Sequence, residues 1–452
     1  MDYAVSRSVA AALLVAWLAL PAGAQEQSAG WGAELGQPPR PAQPPAAPPP
    51  GSPETLQALL ARVLGHDPAV RVARSLREAG EERAAQARSR LGPSAGLQVT
   101  RGGASEREFG ALIDRRTDRA EATLRWNLYN QGNDWAEVQS QARELDAVAE
   151  DLRRAREEAA ERIATAYAEL LRWQTLLPWS EQRLATVRRL VQQTLQQNEA
   201  GKISDADAQQ AQATLLDAEV AHEQLLADLQ SARDSLQRLV AVEAGGTVPG
   251  VVPVLLPPPM AEPREPASGL VAGARQRAEA ARERVRPLPS LLTPRIDAEY
   301  RHRLHDRTLP VATTETQYGW TVSARWDMPL LGEAQARRAE VERRAEAAAA
   351  EAERVQRQAA AELAALPARI AQATRAVAQL DRQIEQYTAL VKAGELQFEA
   401  GRRTLPQLVQ LHDSRFAAQQ RRNEQAHRLL GAQLRQLVLT GSLLPVLGLP
   451  LE

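Results

Sequence analysis

Residues 317–332 read QYGWTVSARWDMPLLG, and their apolar side chains occupy every second position. The apolar positions are Tyr318, Trp320, Val322, Ala324, Trp326 and Met328. Glycine or polar residues fill the positions between them. This alternation predicts a β-strand with one apolar face. Gly332 ends the strand, and the Ala-, Glu- and Arg-rich run after it predicts a long helix.

The same pattern occurs earlier in the chain, where Ala120, Ala122, Leu124, Trp126 and Leu128 alternate with polar residues. Trp126 and Trp326 are separated by 326 − 126 = 200 positions, as are Gly132 and Gly332. Glu-Ala-Gly also occurs twice, at 199–201 and 399–401. The chain is therefore internally duplicated. A single amphipathic strand fits a sheet in a soluble protein as well as a strand of a membrane β-barrel. The remainder of the chain has to decide between these two environments.

The composition excludes several classes of function. The 452 residues include no cysteine, which excludes disulfides, thiol catalysis and cysteine-ligated metals. The formal net charge of −1 argues against a broad nucleic-acid-binding surface, and we expect no nucleic-acid partner. Tryptophan outnumbers phenylalanine by 8 to 3, a bias that suits a membrane–water interface.

Residues 1–24 predict a secretory signal peptide, because the apolar run 10–20 is too short to span a bilayer and Ala22-Gly23-Ala24 fits a cleavage site. An N-terminal anchor is the alternative. Residues 25–53 are rich in proline and predict a disordered spacer.

The rest of the chain predicts two repeats of the same elements. Repeat one, residues 54–240, has a helix to about residue 90, a β-hairpin 95–129, a long helix 133–197, a turn 198–204 and a helix 205–240. After a linker 241–268, repeat two, residues 269–440, has a helix, a hairpin 291–328, a long helix 333–398, a turn 399–404 and a helix 405–440. Residues 441–452 form a partly ordered tail.

Three further details accompany these elements. The polar segments 102–116 and 305–315 predict loops within the hairpins. Pro178 and Pro367 predict a kink or a join in the long helices, each roughly 100 Å long. A heptad seam predicts coiled-coil packing in the helix 205–240. Its positions are Ala208, Ala211, Leu215, Ala218, His222, Leu225, Leu229, Ala232, Leu236 and Leu239. We interpret His222 as a core polar residue rather than a ligand.

Two hairpins supply four strands, and the smallest single-chain outer-membrane barrels need about eight. Sheet edges are not left bare in lipid. The chain is therefore expected to oligomerise, and three copies would supply twelve strands. The polar strand face, which includes Arg125, Glu299 and Arg301, would then line a wet lumen.

With these features the chain resembles the TolC-like outer-membrane factor family over most of residues 54–442. The resemblance implies a mainly α-helical homotrimer with a twelve-stranded barrel in the outer membrane and a helical tunnel across the periplasm. Such tunnels are exit ducts of tripartite efflux pumps or type I secretion systems. They use no cofactor, and their partners are a periplasmic adaptor protein, an inner-membrane pump and outer-membrane lipid. The tryptophan-bearing strand face would form a membrane belt with Trp126, Trp320, Trp326 and Tyr318.

The resemblance also implies roles at the two turns. Gly201, Lys202, Gly401 and Arg402 would lie at the periplasmic tip, where adaptors dock. Asp207 and Arg403 would form a gate lock between neighbouring coils. Gln407 and Gln410 fall where some members carry carboxylates at the constriction. Amides bind cations more weakly than carboxylates, so we expect weaker block by divalent or trivalent cations.

Two other classes of protein are the alternatives. An enzyme is disfavoured because the six histidines form no metal-binding pair on one helix face, and the sequence has no HExxH, glycine-rich phosphate loop or GxSxG. A periplasmic adaptor or other soluble coiled-coil protein is the second alternative. Adaptors carry one helical hairpin, whereas two repeat here. Cell fractionation distinguishes an adaptor from an outer-membrane protein.

Overall fold

The computed structural model describes residues 55–108, 111–240, 265–286, 293–309, 318–326 and 332–450. The predicted signal peptide, the proline-rich spacer and most of the linker 241–268 lie outside these residues.

The elements follow the duplicated order. They are α1 (Leu56–Val63), α2 (Pro68–Ser89), β1 (Ser94–Glu108), β2 (Ala111–Asn130), α3 (Asn133–Glu199), α4 (Asp205–Val240), α5 (Gly269–Val285), β3 (Arg295–Leu309), β4 (Tyr318–Arg325), α6 (Glu333–Glu399), α7 (Leu405–Leu439) and α8 (Leu443–Val446).

The single helix predicted from residue 54 to about 90 is wrong, because the structure has two helices there. Helix α1 ends at Val63, and α2 begins at Pro68. The Asp67 carboxylate caps α2 by accepting hydrogen bonds from the N–H groups of Ala69 and Val70, at 2.9 and 3.3 Å. Proline suits the first helical position, since its missing N–H has no intrahelical partner there.

The four described strands form one antiparallel sheet in the order β1-β2-β3-β4. The second strand of one hairpin pairs directly with the first strand of the other, so the two repeats share a single sheet. The predicted loop at 102–116 is wrong: residues 102–108 and 111–116 are paired strand, with Gly103 opposite Arg116. Strand β3 likewise continues to Leu309. Backbone hydrogen bonds hold a ladder together whatever the side chains are, so polar composition does not end a strand.

Helices α3 and α6 each contain 67 residues. Both begin after a glycine in the left-handed region, Gly132 at φ 80° and Gly332 at φ 79°. They run through Pro178 and Pro367, so neither proline marks the junction of two helices. At about 1.5 Å per residue each helix is roughly 100 Å long.

Small and aliphatic side chains from α3 and α4 form the packing seam between these helices. Of the seam positions in α4, Ala211, Leu225 and Leu236 are buried. His222 belongs to the packed surface too, with Nδ1 3.0 Å from the Ser180 hydroxyl on α3. The imidazole is therefore a core polar residue with a partner.

A buried charged cluster joins distant parts of the chain to α3. Glu157 is 1% exposed, and its carboxylate accepts hydrogen bonds from Arg153 Nε at 3.1 Å and from the Gly269 N–H at 3.4 Å. Arg153 Nη2 donates to the carbonyl oxygens of Ala267 and Gly441. Burial raises the pKa of Glu157, and Arg153 opposes that shift. The cluster fixes the start of α5 and the end of α7 against one turn of α3.

The end of the described chain is more ordered than a fraying tail. Leu443 and Leu444, on the short helix α8, are fully buried in the same core as Leu59, Leu60 and Leu236. Four residues are too short for a periodic signal, so the sequence shows only their apolar character.

Candidate functional sites on the sheet and at the helix turns

The first candidate site is the apolar face of the sheet. The register places Leu124 opposite Tyr300 and Tyr300 opposite Trp320, so these side chains share one face. Trp320 is 76% exposed and Trp126 is 46% exposed. Soluble proteins rarely leave so many large apolar side chains uncovered in one patch.

The residues predicted to form the membrane belt all lie exposed at this sheet: Trp126, Trp320, Trp326 and Tyr318. Trp126 Nε1 donates a hydrogen bond to the Leu91 carbonyl oxygen at 2.8 Å. The polar N–H of this side chain is therefore bonded to the protein, while its ring is exposed. A tryptophan of this kind suits the boundary between hydrocarbon and water.

The opposite face of the sheet is polar and carries ion pairs between strands. Arg125 Nε lies 3.3 Å from the Glu299 carboxylate, and Arg301 lies 3.0 Å from Glu121 and 2.6 Å from Glu299. The two faces therefore require different surroundings, one apolar and one aqueous.

The second candidate site comprises the two turns at the far ends of α3 and α6. Gly201 and Gly401 both have φ +69°. The N–H of Lys202 donates to the Gln197 carbonyl at 2.9 Å, and that of Arg402 donates to the Gln397 carbonyl at 2.8 Å. The N–H groups of Gly201 and Gly401 also donate, to the Asn198 and Phe398 carbonyls, and the two bonds at each turn form a Schellman motif. Gly201, Lys202, Gly401 and Arg402 are all exposed.

After each turn the next helix begins with a matching cap. The Ser204 hydroxyl accepts from the Asp207 N–H at 3.2 Å and donates to the Asp207 carboxylate at 2.8 Å. Thr404 and Gln407 form a capping box at the equivalent positions of the second repeat. Asp207 and Gln407 thus occupy equivalent positions in the first turns of α4 and α7, and each side chain bonds the residue that precedes its helix, Asp207 the Ser204 hydroxyl and Gln407 the Thr404 N–H.

The residues predicted to gate the tunnel lie near these caps. Asp207 is bonded to Ser204, while Arg403 lies against Gly394, where an added Cβ would be 3.0 Å from Nη1 of the arginine. Gln410 is exposed one turn after Gln407. The bond between Asp207 and Arg403 across neighbouring coils stays a prediction.

Sequence reasoning missed a polar junction between the repeats close to the tip. Arg183 on α3 lies 2.8 Å from Asp413 on α7, and its guanidinium stacks 5.4 Å from the Phe416 ring. Arg189, also on α3, lies 3.7 Å from Glu395 on α6. These pairs connect helices more than 200 positions apart in the sequence.

His412 lies buried at this junction, with a side chain that is 2% exposed and Nε2 3.4 Å from the Glu395 carboxylate. Burial lowers the pKa of the imidazole, Arg415 and Arg189 lower it further, and Glu395 and Asp413 oppose them. One sequence feature could have identified His412 as buried: it follows the buried Leu408 by four positions, which places both on the same helix face.

None of the described residues forms a cluster of three or more histidine, cysteine or acidic side chains placed to hold a metal. None of the described helices is apolar enough over sufficient length to cross a membrane.

The family model of outer membrane efflux proteins matches residues 59–242 of the chain, which is most of the first repeat. The chain has no match among curated proteins. Among solved structures it is similar to the CmeC outer membrane channel of Campylobacter jejuni, with 10% sequence identity and a TM-score of 0.74, covering 86% of each chain.

It is also similar to the outer membrane protein VceC of Vibrio cholerae, with 17% identity and a TM-score of 0.73 over 88% of this chain and 97% of that one. The open-state MtrE outer membrane channel of Neisseria gonorrhoeae has 16% identity and a TM-score of 0.62, over 88% and 89% of the two chains. At these identities the likeness shows a shared fold.

Proposed function

We propose, from the match of residues 59–242 to the outer membrane efflux protein family and from the shared fold, that the chain is an outer-membrane protein of this family. In this proposal three copies form the exit duct of a tripartite efflux pump or a type I secretion system. The observation that carries the proposal is the two-faced sheet, whose apolar face is exposed while its polar face holds interstrand ion pairs. Three four-stranded sheets supply the strands of a twelve-stranded barrel.

In this proposal the duct is passive and the helices α3, α4, α6 and α7 form the periplasmic tunnel. Substrate enters at the turns around Gly201 and Gly401, where an adaptor protein docks and connects the duct to an inner-membrane pump. The exposed cations Lys202 and Arg402 support this role, because each lies in a turn whose backbone is hydrogen-bonded to the preceding helix and so offers a defined surface for binding.

Site-specific photo-crosslinking at the turns tests the docking site. A crosslinker in place of Lys202 or Arg402 should capture an adaptor in intact cells. The same crosslinker in place of Arg375, an exposed residue in the middle of α6, should not capture it. Equal capture from all three positions would exclude the turns as the docking surface.

Arg403 provides a test of the gate. If Arg403 and Asp207 form a lock between coils, Arg403→Ser should raise single-channel conductance in planar bilayers, because the closed tip limits the current. Arg402→Ser, at the exposed neighbouring position, is the control and should leave conductance unchanged. An unaltered conductance for Arg403→Ser would refute the lock. Gln407 and Gln410 belong to the proposed constriction. Because amides bind cations more weakly than carboxylates, divalent cations should block the channel only weakly there.

A further inference from the structure

Strand β1 is equivalent to β3, and β2 is equivalent to β4. β1 begins at Ser94 and β3 at Arg295, and each has 15 residues, so these strands correspond at an offset of 295 − 94 = 201 positions. β2 and β4 lead to Gly132 and Gly332, each of which precedes a helix of 67 residues, so they correspond at an offset of 332 − 132 = 200 positions. Each residue of one hairpin therefore has a counterpart in the other.

The registers within the two hairpins agree with these offsets. Leu97 lies opposite Ala122, and their counterparts Ala298 and Val322 also lie opposite each other. The joint between β2 and β3 is different, because its counterpart would connect β4 to β1, and these strands lie at the two edges of the described sheet. Four strands are too few to close a barrel, so a second copy of the chain has to complete that joint.

We propose that β4 of one copy pairs with β1 of the next in the register of the internal joint between β2 and β3. Inside the chain Arg125 lies opposite Glu299. Their counterparts, at 125 + 200 and 299 − 201, are Arg325 and Gln98. The inference rests on the proposed function, and it goes beyond that function by naming the residues that meet between copies.

This register brings like faces of the two strands together. It places Ser323 opposite Thr100, both polar, and Ala324 opposite Val99, both apolar. A shift of one residue would turn the apolar side chains of one strand to the polar face of the other. The match is independent support for the register, because the offsets come from the ends of the strands and the starts of the helices.

The side chains at the proposed joint can replace the ion pair of the internal joint. Arg125 Nε lies 3.3 Å from the Glu299 carboxylate. At the counterpart positions a guanidinium faces an amide, whose oxygen can accept a hydrogen bond from Arg325. The amide nitrogen of Gln98 donates to the Thr100 hydroxyl at 3.5 Å, so the amide oxygen is the group that can serve the arginine.

The long helices support a joint between the same two ends of the chain. α4 packs on α3, α3 on α7 and α7 on α6, so α4 and α6 lie at opposite ends of this row of helices. Leu216 and Val220 on α4 are 62% and 70% exposed, and Leu390 on α6 is 51% exposed. Leu216 is the counterpart of Phe416, which lies against Arg183 where α7 meets α3 inside the chain. By the same offset, α6 of one copy covers α4 of the next.

Paired cysteines test the register, since the natural chain has none. S323C/T100C and R325C/Q98C place two cysteines directly opposite each other, where the Cα atoms of antiparallel strands lie about 5 Å apart and a disulfide can form. S323C/Q98C is the matched control, because it takes one cysteine from each pair but sets them diagonally, about 7–8 Å apart, too far for a disulfide. Two strands separate β1 from β4 within a chain, a spacing of about 14 Å, so every link joins two copies.

Outer membranes that contain each full-length variant are oxidised with copper phenanthroline and run on non-reducing gels. Both predicted pairs should give covalent dimers and trimers, with at least about fivefold more linked chain than S323C/Q98C. The two pairs share no position, so a folding defect in one leaves the other to decide. More linkage in the control than in either pair, or no linkage although the variants are extracted as trimers, overturns the register. A wild-type protein that is monomeric by light scattering in mild detergent refutes the proposed function itself.

Discussion

Gly201 and Gly401 end the two longest helices, and each adopts a backbone conformation that other residues reach at a cost. An added Cβ at Gly401 would meet no atom within 4 Å, so substitution tests backbone strain alone. We expect Gly401→Ala to destabilise the turn by about 1 kcal/mol, because alanine disfavours positive φ. Thermal unfolding in detergent and protease sensitivity near residue 401 would measure this loss.

Gly431 supplies a control of opposite sign. It lies inside α7, is exposed, and also has no atom within 4 Å of an added Cβ. Gly431→Ala should stabilise the protein by about 0.5–1 kcal/mol through reduced freedom of the unfolded chain. Equal effects of the two substitutions would contradict the assigned role of Gly401.

The buried imidazole of His412 predicts a pH dependence at the junction near the tip. Its pKa is lowered in the folded state, so the unfolded chain binds the proton more readily than the folded chain. Stability contributed by the neutral imidazole is present above the ordinary pKa of about 6.5 and is lost as pH falls below it. The loss is limited to about 1.4 kcal/mol for each pH unit in that window.

Charged groups from three helices face this imidazole: Arg189 from α3, Glu395 from α6, and Asp413 and Arg415 from α7. Between pH 7.5 and 5.5 the wild-type melting temperature should fall more than that of His412→Leu, which cannot titrate. Identical pH profiles for the two proteins would show that His412 contributes nothing to this dependence.

The glycine turns and the helix caps were accessible from sequence because their signals are local. Gly201 is preceded by a helical run and followed three positions later by Ser204, a common capping residue. The partners of Arg183 and His412 were not accessible, since Asp413 lies 230 positions from Arg183 and no local pattern specifies that contact. The roles of Asp207, Arg403 and Gln410 come from the family resemblance and stay predictions.

The sheet's two faces predict opposite responses to the same substitution on adjacent residues of β4. Val322 lies on the apolar face and Ser323 on the polar face. Val322→Arg should cost about 2–4 kcal/mol if that face meets the centre of the bilayer, and should deplete the protein from the outer membrane. Quantitative blotting of membrane fractions measures this.

Ser323→Arg adds the same side chain towards the aqueous face and should insert at wild-type levels. If both variants insert equally, the apolar face does not contact lipid.

Alternation identified the strand segments around Trp126 and Trp320 because one of their faces is apolar throughout. It missed the continuation of the hairpins into residues 102–108 and 111–116, where the ladder persists without an apolar face. The split between α1 and α2 was missed although Asp67 and Pro68 form a local helix-start signal, in which the carboxylate caps the helix and proline takes its first position. The missed strand continuation lies where backbone hydrogen bonding, rather than side-chain periodicity, decides the structure.

The cluster around Glu157 predicts that the stability of the packing between the two repeats depends on the ion pair of Arg153 with the buried Glu157. Arg153→Met would leave the Glu157 carboxylate buried without its cation and should destabilise the protein by about 3 kcal/mol. Arg153→Met/Glu157→Leu removes the buried charge and should recover at least half of that loss. Thermal melts of the detergent-extracted protein would measure both.

Arg354→Met is the control for the loss of an arginine, because it removes an exposed pair with Glu351 on the surface of α6. It should leave the melting temperature unchanged. A double variant as unstable as Arg153→Met would show that packing around the arginine, and not its charge, holds the repeats together.

Duplication at a spacing of 200 residues revealed the two repeats and their equivalent turns. It did not reveal how the repeats combine. The pairing of β2 with β3, the Arg153 cluster and the burial of Leu443 and Leu444 all join residues far apart in the chain. Contacts at such separations depend on the packing of whole helices, which a single sequence does not display.

Because β2 and β3 pair within one chain, the described sheet has β1 at one edge and β4 at the other. Joining β4 of one copy to β1 of the next is a head-to-tail contact, which grows into a filament unless a rotation closes it. A threefold rotation closes it with three identical seams. Assembly in bulk water, before lipid fixes the strand tilt, therefore carries a hazard of open-ended polymers, and a shortfall of subunits leaves two reactive edges rather than a smaller pore.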